Sequence, residues 1–275
     1  MARSVEASPR IRSNVFTVPP GRPFLGTLAR AVLAGDLPHA GGKPPTSLEL
    51  GSINILLPTR RAVRALQEAF LDAVAGRALI LPRIQPIAEG DEDLSLLASF
   101  SGASAFAPGD GDIPPAVGEV ERRIVLTGLV QKWSEMTRRQ AAGVDEADRR
   151  ALAIAAGATT AAQAAALAAE LASLVDEAGT EEVDLSGLEK LVPEQFSEHW
   201  QKTLEFLEIA LTAWPGYLAA RGVLAPADRR NRLIRAEANR LAKLPPSGPV
   251  IVAGVTGSIP ATADLMRVVA ALPDG

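Results

Sequence analysis

The 275-residue chain is 47 % hydrophobic and 22 % charged, has no cysteine and only two histidines, His39 and His199, and carries a formal net charge of −4. Those totals exclude wholesale disorder, and within the chain they exclude disulfides, zinc–thiolate sites and iron–sulfur ligation. They also leave a histidine-based metal site or a Ser-His-Asp triad without support. Aromatic residues are 4 % and alanine is abundant, which favours helix packing over an all-β sandwich. The opening MARSVEASPRIRSN has no apolar core of the signal-peptide kind, and no run of about 18 strongly apolar residues occurs, so no leader, transmembrane helix or membrane partner is expected. Absence of cysteine is compatible with a cytoplasmic location, which is the expectation here. Charge is unevenly spread: residues 1–83 hold 11 Lys and Arg against 5 Asp and Glu, and residues 84–275 hold the remaining 17 against 27. A basic front on an acidic body predicts a localised surface that faces anions, although two independent accidents of surface composition would look the same.

In chain order, residues 14–18 (NVFTV) read as a first strand, turned by Pro19-Pro20-Gly21. Pro23 suits the opening of a helix whose apolar face is Phe24, Leu25, Leu28, Val32 and Leu33. A loop rich in Gly and Pro follows over residues 34–49. The stretch 52–74 then reads as strand, tight turn, helix. Ile53, Ile55, Leu56 and Leu57 form a short apolar run of the kind a buried parallel strand shows, Pro58 stops it, and Thr59 caps a helix with Val63, Leu66, Phe70 and Val74 on one face. Gly76 ends that helix, and Leu79-Ile80-Leu81-Pro82 is a candidate strand leading to Arg83. The unusual feature is charge. Arg60, Arg61 and Arg64 crowd the first turn, where each exposed cation opposes the helix dipole at about 0.3–1 kcal/mol. A bound anion would convert that cost into an attraction. On spacing alone, a solvated arginine cluster is the simpler reading.

The acidic run 89–93 (EGDED) reads as a solvated loop, and residues 101–118, rich in Gly, Pro, Ala and Ser, as a linker. From 119 to 244 the chain reads as helical. Ile124, Leu126, Leu129, Val130 and Trp133 line one helix. Thr160 and Gln163 form a capping box that opens another, with Leu167, Leu171, Leu174 and Val175 inward. Trp200, Leu204, Leu207, Leu211 and Trp214 recur at alternating spacings of four and three, a packing seam. Arg229, Arg230, Arg232 and Arg235 make a basic face that meets either nearby acids or phosphate. Residues 249–254 give a last apolar strand, after which Ser258 caps a helix with Pro260 in its first turn and Leu265, Val268, Val269 and Leu272 buried. The predicted architecture is α/β: a parallel-sheet core with a large all-helical insertion. Its expected divisions are a first core part at 1–100, a linker at 101–118, a helical subdomain at 119–245, and a return to the core at 246–275. With so few strands, the chain reads as the front of a longer protein.

In such cores phosphates bind at the loop between a strand and a helix N-terminus. The first candidate loop, Gly21-Arg-Pro-Phe-Leu-Gly26-Thr27-Leu28, has the glycine spacing of G-x-x-x-x-G-K-[ST] but places Thr27 and Leu28 where lysine and a hydroxyl belong. Gly21, Gly26 and Thr27 are therefore candidates for a degenerate phosphate loop without working nucleotide chemistry. The last strand ends in Ala253, where a phosphate-hydrolysing core places an acid for magnesium, and Asp264 lies too far along to replace it.

The blocks NVFTVPPGRPFLGTLA, INILLPTRRAVRALQEAF, LPRI…GDED and VIVAGVTGSIPATADL, in that order, resemble the N-terminal part of the double-strand break repair protein AddB family, alphaproteobacterial type. The likeness spans essentially the whole chain and is loosest in the helical middle. It implies a superfamily-1 helicase-like first domain belonging to one subunit of a two-subunit ATP-dependent helicase–exonuclease complex that prepares broken DNA for homologous recombination. It assigns contact with the single-strand backbone to Thr59, Arg60 and Arg61, beside Arg64. It also implies a catalytic partner subunit, and a nuclease with an iron–sulfur cluster in a C-terminal region not contained in this chain, so no cofactor and no catalytic residue is expected in this segment. Thr27 and Ala253 depart from branches that keep the lysine and the acid, which implies an ATPase-deficient module. The alternatives are an ATPase with an atypical loop and a pure subunit-docking scaffold.

Overall fold

A computed structural model describes residues 14–37, 43–87, 113–141, 160–185, 197–273 and 275. Its contacts divide the chain into two compact units: Met1–Asp112 with Arg230–Gly275, and Ile113–Arg229. The division falls inside a helix, whereas the sequence reading puts the return to the core at 246.

The first unit is α/β. Three parallel strands, β1 (Asn54–Leu57), β2 (Arg83–Pro86) and β3 (Val250–Val252), lie in the order β2-β1-β3. Ile55 faces Ile84 on one side and Ile251 on the other. All four residues of β1 are buried, which explains the apolar run Ile55-Leu56-Leu57 after Asn54. One sheet face is covered by α1 (Phe24–Ala34) and α3 (Arg60–Val74), which also pack on each other. Leu28, Ala29, Val32, Ile55, Leu57, Leu66, Phe70, Ile84 and Ala253 share this core. A one-turn helix α2 (Ser47–Leu50) precedes β1, closed by a capping box between Thr46 and Glu49. After β3, α9 (Pro260–Ala270) buries Leu265 and Val269. At the amino end of the sheet Pro249 O accepts from Asn54 N–H at 2.8 Å. Gly248 there lies so close to Ser52 that a Cβ would overlap the Ser52 carbonyl oxygen.

Two expected strands differ from the structure. Residues 14–18 pair with no described strand, and Val15 and Phe16 are 70 % and 56 % exposed. Strand propensity expresses packing on a half-buried surface, and these side chains bury too little to use it. Residues 79–82 are not the strand either: the ladder opens at Arg83, whose N–H donates to Ile53 O at 2.9 Å, and runs to Ile87, whose N–H donates to Leu57 O at 2.8 Å. Ser258 does not cap α9. The N-cap is Ile259 without a side-chain cap, while the Ser258 hydroxyl lies 3.1 Å from that of Thr256. Phe24, assigned to the buried face of α1, is 40 % exposed.

The second unit is helical: α4 (Glu119–Ala141), α5 (Ala161–Glu181), α6 (Ser197–Glu208), a π-helical turn (Ile209–Ala213), α7 (Trp214–Arg221), and the start of α8 (Pro226–Lys243). Its entry and exit are clasped where Val117 N–H donates to Leu224 O and Leu224 N–H to Pro115 O, both at 3.0 Å. The capping box forms as read, with Thr160 Oγ1 accepting from Gln163 N–H at 3.2 Å and Gln163 Oε1 from Thr160 N–H at 3.1 Å. Leu126, Val130, Trp133, Leu171, Leu207 and Trp214 are buried together. Ile124 is 67 % exposed and Leu174 38 %, against expectation. Ile124 stands two residues from Leu126 and cannot share its helical face. The seam also departs from plan after Leu207. Pro215 has no N–H for an α-ladder, the backbone widens so that Trp214 N–H reaches Ile209 O, and Ile209 and Ala210 become buried in place of Leu211. The side chains of His199 and Trp200, the run 89–93 and residues 101–112 lie outside the described residues.

Arg122, 6 % exposed, ties α4 to α5 by donating to Asp176 Oδ2 at 2.8 Å and Ala172 O at 2.7 Å. Asp176, at 39 %, can rehydrate if its partner is lost, but Arg122 cannot. Asp176→Ala is therefore expected to cost about 3 kcal/mol or more. Arg122→Met, which keeps much of the packing volume, is expected to cost only about 1–2 kcal/mol, both read by urea unfolding. Gly248→Ala is expected to cost about 1–3 kcal/mol by the same measurement, through the clash with the Ser52 carbonyl.

Candidate nucleic-acid interface

The carboxyl edge of a parallel sheet is where helices begin and loops open, and it is the usual ligand edge of such folds. Here β1 ends at Leu57, Pro58 breaks the ladder, and Thr59 turns the chain. The Thr59 hydroxyl accepts from Ala62 N–H at 3.1 Å and its carbonyl from Val63 N–H at 3.1 Å, so the expected cap is present. Arg60, Arg61 and Arg64 follow directly, all exposed, with no acid in the first turn of α3. Arg60 and Arg64 are a like-charged i, i+4 pair, which costs about 0.2–0.5 kcal/mol on top of the dipole term. Among the described residues, the side chains of Arg61 and Arg64 have no ion pair or hydrogen bond.

The start of α1 adjoins this edge. Gly254, just past β3, has φ +67°, and a Cβ on it would lie 3.3 Å from Phe24 Cε1 and 3.9 Å from Pro58 Cδ. The first residue of α1 and the turn into α3 therefore meet at one glycine. The candidate phosphate loop is shorter than its glycine spacing implies. Gly21 has φ +81° and sits in the turn, but α1 begins at Phe24, so Gly26 and Thr27 are helical and Leu28 is buried. Only residues 21–23 remain ahead of the helix, and Pro23 contributes no N–H. A three-residue turn cannot wrap a phosphate chain with successive N–H groups. The Thr27 hydroxyl accepts from Arg30 at 3.5 Å, and the Arg30 guanidinium lies 3.6 Å from where a Gly26 Cβ would be. At the end of β3, Ala253 is buried in the core and its N–H donates to Leu56 O at 2.9 Å.

Two arginines of the second face, Arg229 and Arg235, are bonded within the chain, while Arg232 is exposed. Arg229 donates to Pro114 O at 3.2 Å. Arg235 binds Asp264 at 3.0 Å, and Arg267 binds the other oxygen of the same carboxylate at 2.7 Å. Asp264 is thus a tie between α8 and α9. Among the described residues no three His, Asp or Glu side chains gather as a metal site, and no helix is long and apolar enough to cross a membrane. The sequence did not single out Arg30 or Phe24. The signal for Phe24 lay in its tertiary meeting at Gly254, which no local pattern encodes, whereas Arg30 meets Thr27 and Gly26 on its own helix. Comparison with protein-family models, with curated proteins and with solved structures finds no match to this chain.

Arg267, and then Arg235, hold the Asp264 carboxyl below its usual value of 3.8. A depressed carboxylate stabilises the fold above that value, and the stabilisation is lost as pH falls through the folded pKa. The side chain is 39 % exposed, so screening limits the effect. Asp264→Asn is expected to cost about 0.5–1 kcal/mol at neutral pH, with the gap to the parent closing below pH 3.8, measured by urea midpoints along a pH series.

Proposed function

We propose that this chain is an ATPase-deficient, helicase-like module of a cytoplasmic helicase–nuclease for double-strand break repair, guiding single-stranded DNA and docking on a catalytic partner subunit. The observation that carries the DNA-guiding reading is the start of α3, where Arg60, Arg61 and Arg64 stand exposed at the carboxyl edge of the sheet and the first turn contains no acidic residue. Three cations at a positive helix end are kept at a cost to the isolated fold, and a polyanion is the ligand that reverses the sign of that cost. The phosphodiester backbone supplies such charge at regular spacing. The parts played by helicase, nuclease and partner rest on the sequence resemblance. The three-residue turn ahead of α1 supports the ATPase-deficient part of the reading.

In fluorescence anisotropy, a labelled single-stranded oligonucleotide is expected to bind at low salt and to release steeply as salt rises, with a slope in log K of about −0.7 per phosphate contact. Arg60→Ala with Arg61→Ala should weaken binding and flatten that slope by roughly 1.4, while leaving the urea midpoint unchanged or slightly higher. Absence of binding at low salt sinks the DNA-guiding role. Heat on titrating magnesium–ATP would overturn the ATPase-deficient assignment.

A further inference from the structure

We infer that Phe24 is a stacking platform for an unpaired base, making the surface selective for single-stranded over duplex DNA. The inference rests on the DNA-guiding reading and adds a residue and a mode of recognition to it. Phe24 is a large apolar side chain left 40 % exposed and outside the shared core, although Leu28 and Val32 on the same helix are buried. One edge of its ring packs against Gly254. Cε1 and Cζ lie 3.3 and 3.8 Å from where a Cβ of Gly254 would be, so the missing side chain at Gly254 lets the ring rest on backbone. An exposed aromatic held along one edge loses little freedom when a flat partner stacks on it.

The surroundings decide the chemistry of that partner. Arg22 lies exposed two residues before Phe24, and Arg30 lies exposed on α1 with its guanidinium drawn back to Thr27 at 3.5 Å. Arg60 and Arg61 begin α3 directly beyond the turn at Pro58, which meets Gly254 as Phe24 does. An apolar partner helix would meet the exposed arginines that flank this edge in sequence, Arg22 before Phe24 and Arg60 and Arg61 after Pro58. A nucleic-acid strand satisfies both parts, with phosphates on the arginines and a base on the ring, the arrangement used for sequence-tolerant single-strand binding. In a duplex the bases are stacked on each other and the ring has nothing to receive.

The test uses the full chain, a labelled thymidine oligonucleotide, and an oligonucleotide of equal length and charge built of abasic sites. Phe24→Leu keeps an apolar cover on Gly254 and removes the flat face. It is expected to lower affinity for the thymidine strand about 5- to 100-fold, to leave the salt slope and urea midpoint as in the parent, and to leave binding of the abasic strand unchanged. Phe24→Trp is expected to restore binding. Equal binding of the thymidine strand by parent and Phe24→Leu overturns the inference, and so does an equal loss on both strands. If Arg60→Ala with Arg61→Ala flattens the salt slope while Phe24→Leu changes nothing, the stacking role falls and the DNA-guiding reading stands. If the parent binds neither strand, both fall.

Discussion

All four residues of β1 are buried, and its backbone is bonded to a neighbour on either side. That one constraint arranges much of the α/β unit. A parallel strand buried on both faces has to be covered by helices, and a helix that returns to cover it has to begin where the strand ends. Burying Ile55 and Leu57 therefore fixes the start of α3 at the carboxyl edge, and Thr59 makes that start orderly by capping it. The position of Arg60, Arg61 and Arg64 follows from the same geometry. The chain could have placed acids there at a gain in stability, and it places arginines.

Much of this was legible in the residues because it is local. The apolar run before Pro58, the Thr59 cap, the 63–66–70–74 face and the Thr160–Gln163 box are encoded within one or two turns of chain. What escaped reading is what depends on a partner distant in sequence. Residues 14–18 have the composition of a strand but pair with no described strand. β2 opens at Arg83, where an N–H meets Ile53 O across the sheet, and not at Leu79. Phe24 was counted inward because its spacing to Leu28 is helical, yet the first residue of a helix overhangs the sheet edge and meets Gly254 some 230 positions later. The glycine spacing at 21 and 26 suggested a phosphate loop, but the folded chain starts its helix between the two. As for the site, Thr59 and the three arginines could be named from sequence, whereas the place of Phe24 needed the tertiary contact at Gly254.

The helical unit is held by a few long-range polar ties laid over an aliphatic core. Arg122 with Asp176 joins α4 to α5, and Glu121 joins α4 to α7 by accepting from Tyr217 at 2.5 Å and from Arg221 at 3.0 Å. The Tyr217 hydrogen bond, with Arg221 beside it, holds the Glu121 carboxyl below its ordinary range, and the same carboxylate pushes the phenol up. Alanine-rich faces pack closely but specify alignment weakly, because small side chains interdigitate little. Directional bonds between named residues supply the alignment that Ala164 and Ala168 do not.

The π turn at Ile209–Ala213 acts on this unit as a phase shifter. An extra residue in the helical path turns everything beyond it by about 100° relative to an uninterrupted α-helix. Across that offset Ile209 and Ala210 join Leu207 and Trp214 in the core, and Tyr217 beyond it reaches Glu121. Pro215 locks the offset in place, since tightening the turn would drive its ring into the preceding carbonyl. The segment is thus a length-sensitive element in an otherwise forgiving helix. Exchanging one apolar residue for another there alters packing by degrees, whereas removing a single residue would rotate α7 out of register with both its core and its polar tie.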